Sequence, residues 1–306
     1  MPFERLVPAL RERFAQGCEV PLRHSHTVAA GPDNTLTSLI MPAWVPGRCY
    51  GAKTVNIATG NARLGLAGLH STYLLYDAVT GAPMAWMDGD QITARRTAAA
   101  SALTATWLAR ADARHLLIVG AGQVAKLLPD AYRTVRQIER VTVWVRNDAQ
   151  ARAFVAELRG RGWDAHCAAS LQAAAGVADI VSCATLATQP LLMGRWLPPG
   201  SHLDLIGSFT PTMREADDDC FAGAAVYVDT EEALSKSGDL LGPMSRDVFR
   251  AEDVKGTLAQ LSRGQACGRG TAEQRTVFKS VGTALEDLAA AMLVHDTERE
   301  PGDPAG

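Results

Sequence analysis

Two adjacent arginines, Arg95 and Arg96, stand near the start of ITARRTAAASALTATWLA, residues 92–109. The alanine content of that run predicts a helix able to pack very closely, and a cation on its packed side needs an anion to meet it. With Thr93 as N-cap, Arg96 falls at the third helical position, where the helix dipole also favours a negative charge. Lys53, in YGAKTVNI, alternates with Ala52 and Thr54 and so faces the side opposite to both. Arg23 lies in PLRHSH beside His24 and His26. Arg23, Lys53 and Arg96 together could clamp a carboxylate, with arginine supplying two-pronged geometry. Met41 and Trp44, in MPAW, read as core packing first and as pocket lining second.

A second constellation is VGAGQVA, which places Gly120, Gly122 and Ala125 as GxGxxA between the apolar run HLLIVG and the helix GQVAKLLPDAYRTV. Gly120 allows the turn, Gly122 lets a pyrophosphate approach the backbone, and Ala125 keeps helix and sheet close. The phosphates then rest on the helix N-terminus at Gln123 and Val124. At the end of the next strand, where an NAD site wants an acid for the ribose hydroxyls, the chain reads VWVRND. Arg146 can pair with a 2′-phosphate, with Asn147 beside it, whereas Asp148 comes one step late and reads as the cap of the following helix. The expected cofactor is NADPH, with NADH as the alternative.

These residues need two kinds of scaffold. From about residue 20 to 90, TLTSLIMPAW, YGAKTVNI, STYLLYD and APMAWMD are β-prone runs separated by turns such as VPGR and AVTG, which predicts an antiparallel or mixed sheet. From about 112 to 278, strand and helix patterns alternate. VTVWV, DAQARAFVAELRGRG, WDAHCA, SLQAAAGV and DIVSCAT are followed by HLDLIG and AVYVDT. The fold class is therefore α/β: a Rossmann-type doubly wound parallel sheet over 112–278, plus a mixed-sheet substrate and dimerisation domain over 1–111 and 279–306. Pro129 is expected to kink its helix or delimit a first turn. FKSVGTALEDLAAAMLVH reads as a last alanine-rich helix, and EREPGDPAG as a frayed tail.

Bulk properties narrow the class. A net charge of −3 with both signs mixed gives no field for nucleic acid. The 6 cysteines are widely spaced, with no CxxC pair, which suits reduced thiols in a cytoplasm and predicts no metal site. MPFERLVPALRERF is too charged for a signal peptide, and no apolar run approaches the roughly 20 residues of a membrane span.

GAKTVN, ITARRTAAASA, VGAGQVA, IGSFTPTMRE, TEEALSKSGDL and FKSVGTALEDLAAA occur in this order, and with them nearly the whole chain resembles the ornithine cyclodeaminase/μ-crystallin family. The resemblance implies a homodimer and a substrate carboxylate held by Lys53, Arg96 and Arg23, so that Arg96 looks inward to an anion and Arg95 is the exposed one. Positions expected to contact the cofactor are Thr97, Gly120, Gly122, Gln123, Val124, Arg146, Asn147, Ala184, Thr185, Ile206, Gly207, Ser280, Val281 and Gly282. Cyclodeaminases carry an aspartate just ahead of the proline that aligns with Pro211, where it activates water. This chain has Phe209 there, and the nearby acids Glu215 and Asp217 read as helix or turn stabilisers. The resemblance is therefore nearest to members that reduce cyclic ketimines, Δ1-pyrroline-2-carboxylate and Δ1-piperideine-2-carboxylate, to proline and pipecolate. Phe209 would then be an apolar wall of the substrate site. Catalysis would rest on Lys53, Arg96 and His26, with Lys53, His26 or a water as proton source. Ornithine cyclodeamination, alanine dehydrogenase-type reductive amination, and NADPH binding without catalysis are the competing readings.

Overall fold

In the computed structural model, which describes residues 1–29, 31 and 35–298, the chain divides into two compact units. Unit 1 is Met1–Arg96 with Thr283–Gly306, and unit 2 is Thr97–Gly282. The divides thus fall at Arg96/Thr97 and Gly282/Thr283, where the sequence pattern suggests 111/112 and 278/279. The tail from residue 299 onward lies outside the described residues.

Unit 1 begins with α1 (Phe3–Gln16), continues through β1 (His24–Ala29), β2 (Thr35–Val45), β3 (Cys49–Ala58), β4 (Leu69–Asp77) and β5 (Pro83–Asp88), and enters α2 (Gly89–Leu108). Its sheet has the order β1-β2-β3-β4-β5 and every pairing is antiparallel, so the mixed alternative does not arise. Alternation sorts the side chains. Met41, Lys53 and Tyr73 share one buried cross-strand row, and Ala43, Gly51 and Leu75 share the next. The C-terminal helix covers this face. On the other face, Trp44, Tyr50 and Tyr76 line up with ring centroids 6.4 and 5.6 Å apart, and Trp86 is 76% exposed. Gly51 is required where it stands, because a Cβ there would fall 2.0 Å from the Tyr73 hydroxyl.

Helix α2 starts earlier than its alanine run suggests. Asp88 Oδ1 accepts hydrogen bonds from Asp90 N (2.8 Å) and Gln91 N (3.0 Å), so Asp88 closes the helix N-terminus and Thr93 does not. Arg96 then lies beyond the first turn, out of reach of the helix dipole.

Unit 2 carries β6 (His115–Val119), α3 (Gln123–Arg133), β7 (Arg140–Trp144), α4 (Asp148–Gly160), β8 (Asp164–Cys167), α5 (Leu171–Ala175), β9 (Ile180–Cys183) and β10 (His202–Leu205). It continues with β11 (Ala225–Val228), α6 (Ala233–Lys236), α7 (Gly238–Ser245), β12 (Gly256–Thr257), α8 (Leu258–Ser262) and β13 (Thr276–Lys279), and the chain then returns to unit 1 as α9 (Ala284–Glu298). The sheet order is β12-β11-β13-β10-β9-β6-β7-β8, parallel throughout. Strands β9, β10, β11 and β13 are buried along their length, as runs covered on both faces must be. Helix α3 runs through Pro129 without ending there.

Two features depart from the sequence pattern. Phe278 and Lys279 do not open the last helix; they end β13, which slots between β10 and β11, and α9 begins only at Ala284. Asn147, not Asp148, caps α4, its Oδ1 accepting from Ala149 N (2.9 Å) and Gln150 N (3.3 Å). No helix among the described residues is long and apolar enough to cross a membrane.

Candidate active site

In unit 1 the alanine-rich helices α2 and α9 carry opposite charges. These charges meet in the interior. Lys53 Nζ lies 2.7 Å from Asp287 Oδ2, while Arg96 Nε lies 2.9 Å from Asp287 Oδ1 and Arg96 Nη1 2.5 Å from Glu286 Oε2. Lys53 Nζ also donates to Thr93 Oγ1 at 3.1 Å. All four charged side chains are buried. Two cations and two carboxylates meet here, and pairing of this kind is how buried charges become tolerable. Burial lowers the Lys53 ammonium to about 8 against the pull of Asp287. Burial also opposes the Arg96 charge, but Asp287 and Glu286 outweigh it and hold the guanidinium above the ordinary arginine range. Asp287 pays the same burial cost, yet Lys53 and Arg96 bring its carboxyl below the usual range.

The structure thus brings Lys53 and Arg96 together on one carboxylate. Arg95, expected outside, is half-buried: its Nη1 donates to Met1 O at 2.9 Å and its guanidinium lies 5.5 Å from the Phe3 ring centroid. Arg23 precedes β1 and is half-buried. With His24 opposite Ile40, the register points Arg23 to the row of Met41 and Lys53, two strands from the lysine. His26 is different. It pairs with Ser38, on a row that emerges from the sheet face opposite Lys53, and it is exposed with its ring stacked on His24. Within unit 1 the structure does not join His26 to Lys53, because one residue of register reverses the face. Met41 is core, as the sequence reading put first.

In unit 2, a groove of about 360 Å³ is lined by Gly120, Gly122, Arg146, Asn147, Ala184 and Thr185, among others. Gly120 has φ +123°, and a Cβ there would sit 2.5 Å from Ala184 O; beside Gly122 a Cβ would meet nothing within 4 Å. No side chain caps α3, so its first N–H groups face the open space over Gly122, where a dinucleotide pyrophosphate fits. Arg146 is exposed at the rim, Gln123 is exposed and Val124 half-buried at the helix start. Thr97, in α2, is buried. Phe209, in the loop after β10, is 43% exposed.

The remaining positions expected to contact the cofactor lie on backbone loops at the carboxyl ends of the strands, and acids hold several of them. Asp229 Oδ2 accepts from Val281 N (2.8 Å) and Gly282 N (2.6 Å), and its Oδ1 accepts from Thr230 N (2.7 Å). Ser280 N donates to Leu205 O at 3.1 Å. Glu215 Oε2 accepts from Gly207 N at 2.6 Å, next to Ile206. Beneath them, Asp204 accepts from Ser101, Tyr132 and Ser182 hydroxyls, and burial pushes its carboxyl up to about 6. The sequence reading missed Asp204, Asp229, Glu286 and Asp287 and gave Glu215 only a stabilising role. Their signals were present: an acid closing the apolar run AVYVD, and an acid pair inside the alanine-rich TALEDLAAA.

Known proteins share this fold and much of this sequence. A Δ1-pyrroline-2-carboxylate reductase of Paracoccus denitrificans is 43% identical over 285 residues, covering 92% of this chain and 90% of that protein. The structure of Thermococcus litoralis Δ1-pyrroline-2-carboxylate reductase in complex with NADH and L-proline superposes with a TM-score of 0.90 at 30% identity, over 100% of this chain and 96% of the other. An archaeal alanine dehydrogenase dimer with bound NAD gives a TM-score of 0.88 at 27% identity, over 100% and 95%. The profile of the ornithine cyclodeaminase/mu-crystallin family matches residues 9–301. The chain is a member of the ornithine cyclodeaminase/mu-crystallin family.

Proposed function

We propose that the chain is an NAD(P)H-dependent oxidoreductase that reduces cyclic imino acids, Δ1-pyrroline-2-carboxylate, Δ1-piperideine-2-carboxylate or both, to L-proline and L-pipecolate. The observation that carries this reading is the buried ion-pair group of Lys53, Arg96, Glu286 and Asp287. A substrate bearing both a carboxylate and a protonated C=N adds no net charge to it, so its carboxylate can share the two cations without leaving a charge uncompensated. Arg23 completes the clamp. A protonated imine is already electrophilic, and the protein's part is to orient it and exclude water. Phe209, where a cyclodeaminase carries an acid, cannot activate water for ammonia loss and serves as an apolar wall. Two of the relatives above are named as pyrroline-carboxylate reductases, which supports the same chemistry.

The nicotinamide cofactor would lie along Gly120, Gly122, Gln123 and Val124, with Thr97 toward its phosphates, Asn147 beside its adenosine, and Ala184, Thr185, Ile206 and Gly207 along its length. Ser280, Val281 and Gly282 would meet the nicotinamide. Arg146 at the groove rim supports NADPH over NADH, whereas the structural relatives hold NADH or NAD. A second copy of the chain would cover the open aromatic face of the β1–β5 sheet, in line with the dimeric alanine dehydrogenase. The free cysteines among the described residues support a cytoplasmic location.

The test is cofactor oxidation at 340 nm with five- and six-membered cyclic ketimine acids, using NADPH and NADH in parallel. Turnover with either ring supports the proposal. Ammonia release from ornithine without net cofactor change, or ammonia-dependent oxidation with pyruvate alone, replaces it. Cofactor binding with every imine untouched leaves a carrier.

A further inference from the structure

One buried carboxylate ties together two loops of the dinucleotide groove. Glu215 has no solvent exposure. Its Oε1 accepts from Thr185 N at 2.7 Å and Thr185 Oγ1 at 2.8 Å, and its Oε2 accepts from Gly207 N at 2.6 Å. Thr185 follows β9 and Gly207 follows β10, which are neighbours in the sheet. Main-chain bonds extend the tie: Glu215 O accepts from Leu191 N (2.9 Å) and Leu192 N (3.0 Å). Ala184, Thr185, Leu186 and Leu191 line the groove, so the segment that Glu215 holds is one of its walls. The fit is close, since a Cβ on Gly207 would fall 1.9 Å from Thr185 O and 2.5 Å from Glu215 Oε1.

A carboxylate buried this far costs more than an apolar residue of the same size, so packing alone does not account for it. It meets donors only, and donors bind the ionised form. The charged and titratable side chains facing it are Lys279 of β13, which attracts it, Asp239 of α7, which repels it, and Cys183 of β9. Asp239 is itself engaged, its Oδ1 accepting from Glu215 N (2.8 Å) and Ala216 N (3.1 Å).

We propose that Glu215 is a positioning residue for the dinucleotide: its ionised carboxylate holds the loops after β9 and β10 in the shape the cofactor binds, and protonation releases that hold. The inference rests on the cofactor reading above. Burial, with Asp239 adding to it and Lys279 opposing, raises the carboxyl to about 7, inside the range where the enzyme can be assayed.

NADH binding is followed by fluorescence between pH 5.5 and 8.5 for the intact protein and for Glu215→Gln, with NADPH titrated in parallel because its 2′-phosphate contributes equally to both proteins. The intact protein should bind about tenfold more weakly for each pH unit below 7. Glu215→Gln should bind about tenfold more weakly at pH 8, with a flat profile below it. Should Glu215→Gln fail to fold, calorimetry of the intact protein in two buffers of different ionisation enthalpy should still detect proton release on binding near pH 7. Thr185→Val, which removes a donor to the charged form, should move the midpoint to higher pH. Parallel pH profiles for the two proteins, or binding without proton release, would overturn the role of Glu215 alone. Absence of binding by either nucleotide at every pH would instead remove the cofactor reading.

Discussion

Lys53 and Asp287 form an ion pair of 2.7 Å with both side chains buried, and Asp287 simultaneously receives Arg96 at 2.9 Å. Removing the shared carboxylate takes from Lys53 and Arg96 the one anion that both contact. Asp287→Asn is expected to cost about 3–5 kcal/mol of stability, the usual penalty for orphaning a buried charge. Urea unfolding measures it. A loss under 1 kcal/mol would mean that water reaches the group.

The Lys53 ammonium is needed charged if it holds a carboxylate. With burial lowering it to about 8, kcat/KM for a cyclic ketimine should fall about tenfold per pH unit above that value. Lys53→Arg, whose guanidinium keeps its proton, should lose the alkaline limb in whatever activity survives. An unchanged limb would assign the titration to another group.

Asp204 makes a stability prediction with a defined sign. Its folded carboxyl, raised by burial from 3.8 to about 6, contributes stability that is full below about pH 4 and is lost as pH rises through about 6. Asp204→Asn cannot titrate. The stability difference between the intact protein and Asp204→Asn should therefore move in favour of the variant between pH 4 and 7. Melting temperatures of both proteins across that range check it, and parallel curves count against it.

Tyr73 presents the opposite case. Its hydroxyl is buried against Gly51 and has no hydrogen-bond partner among the described residues. Tyr73→Phe removes an unsatisfied polar atom and should be neutral or stabilise by about 1 kcal/mol in denaturant titration. A clear destabilisation would show that the hydroxyl has a partner in solution.

Nucleotide choice turns on Arg146. If it reads a 2′-phosphate, Arg146→Ala should reduce NADPH affinity by about tenfold and leave NADH affinity within twofold. Equal losses for both nucleotides would make it a general phosphate contact.

Much of this was legible from the residues in order. HLLIVG, VTVWV and DIVSCAT became strands because runs buried on both faces need no alternation, and GxGxxA fell where strand meets helix. YGAK told which way Lys53 points, because a strand alternates strictly. What escaped was set by tertiary pairing. Thr93 looked like a cap until Asp88, from the preceding strand, took the role. Phe278 and Lys279 looked helical because only their neighbours β10 and β11 define them as strand. Glu215 looked like an ordinary helix or turn stabiliser and Asp229 passed unnoticed, since the backbone N–H groups of Thr185 and Val281 that they accept from lie 30 and 52 residues away along the chain. His26 stood beside Lys53 as a candidate proton source, and register set them on opposite faces of the sheet.

The placement of β13 between β10 and β11 governs how the chain can be made. Residues 1–275 leave the ribosome before the strand that fills an inner slot of the parallel sheet emerges, and α9, which supplies both carboxylates to Lys53 and Arg96, comes later still. Until β13 and α9 have emerged, the nascent polypeptide holds an unfilled slot in one sheet and two unneutralised cations in the other.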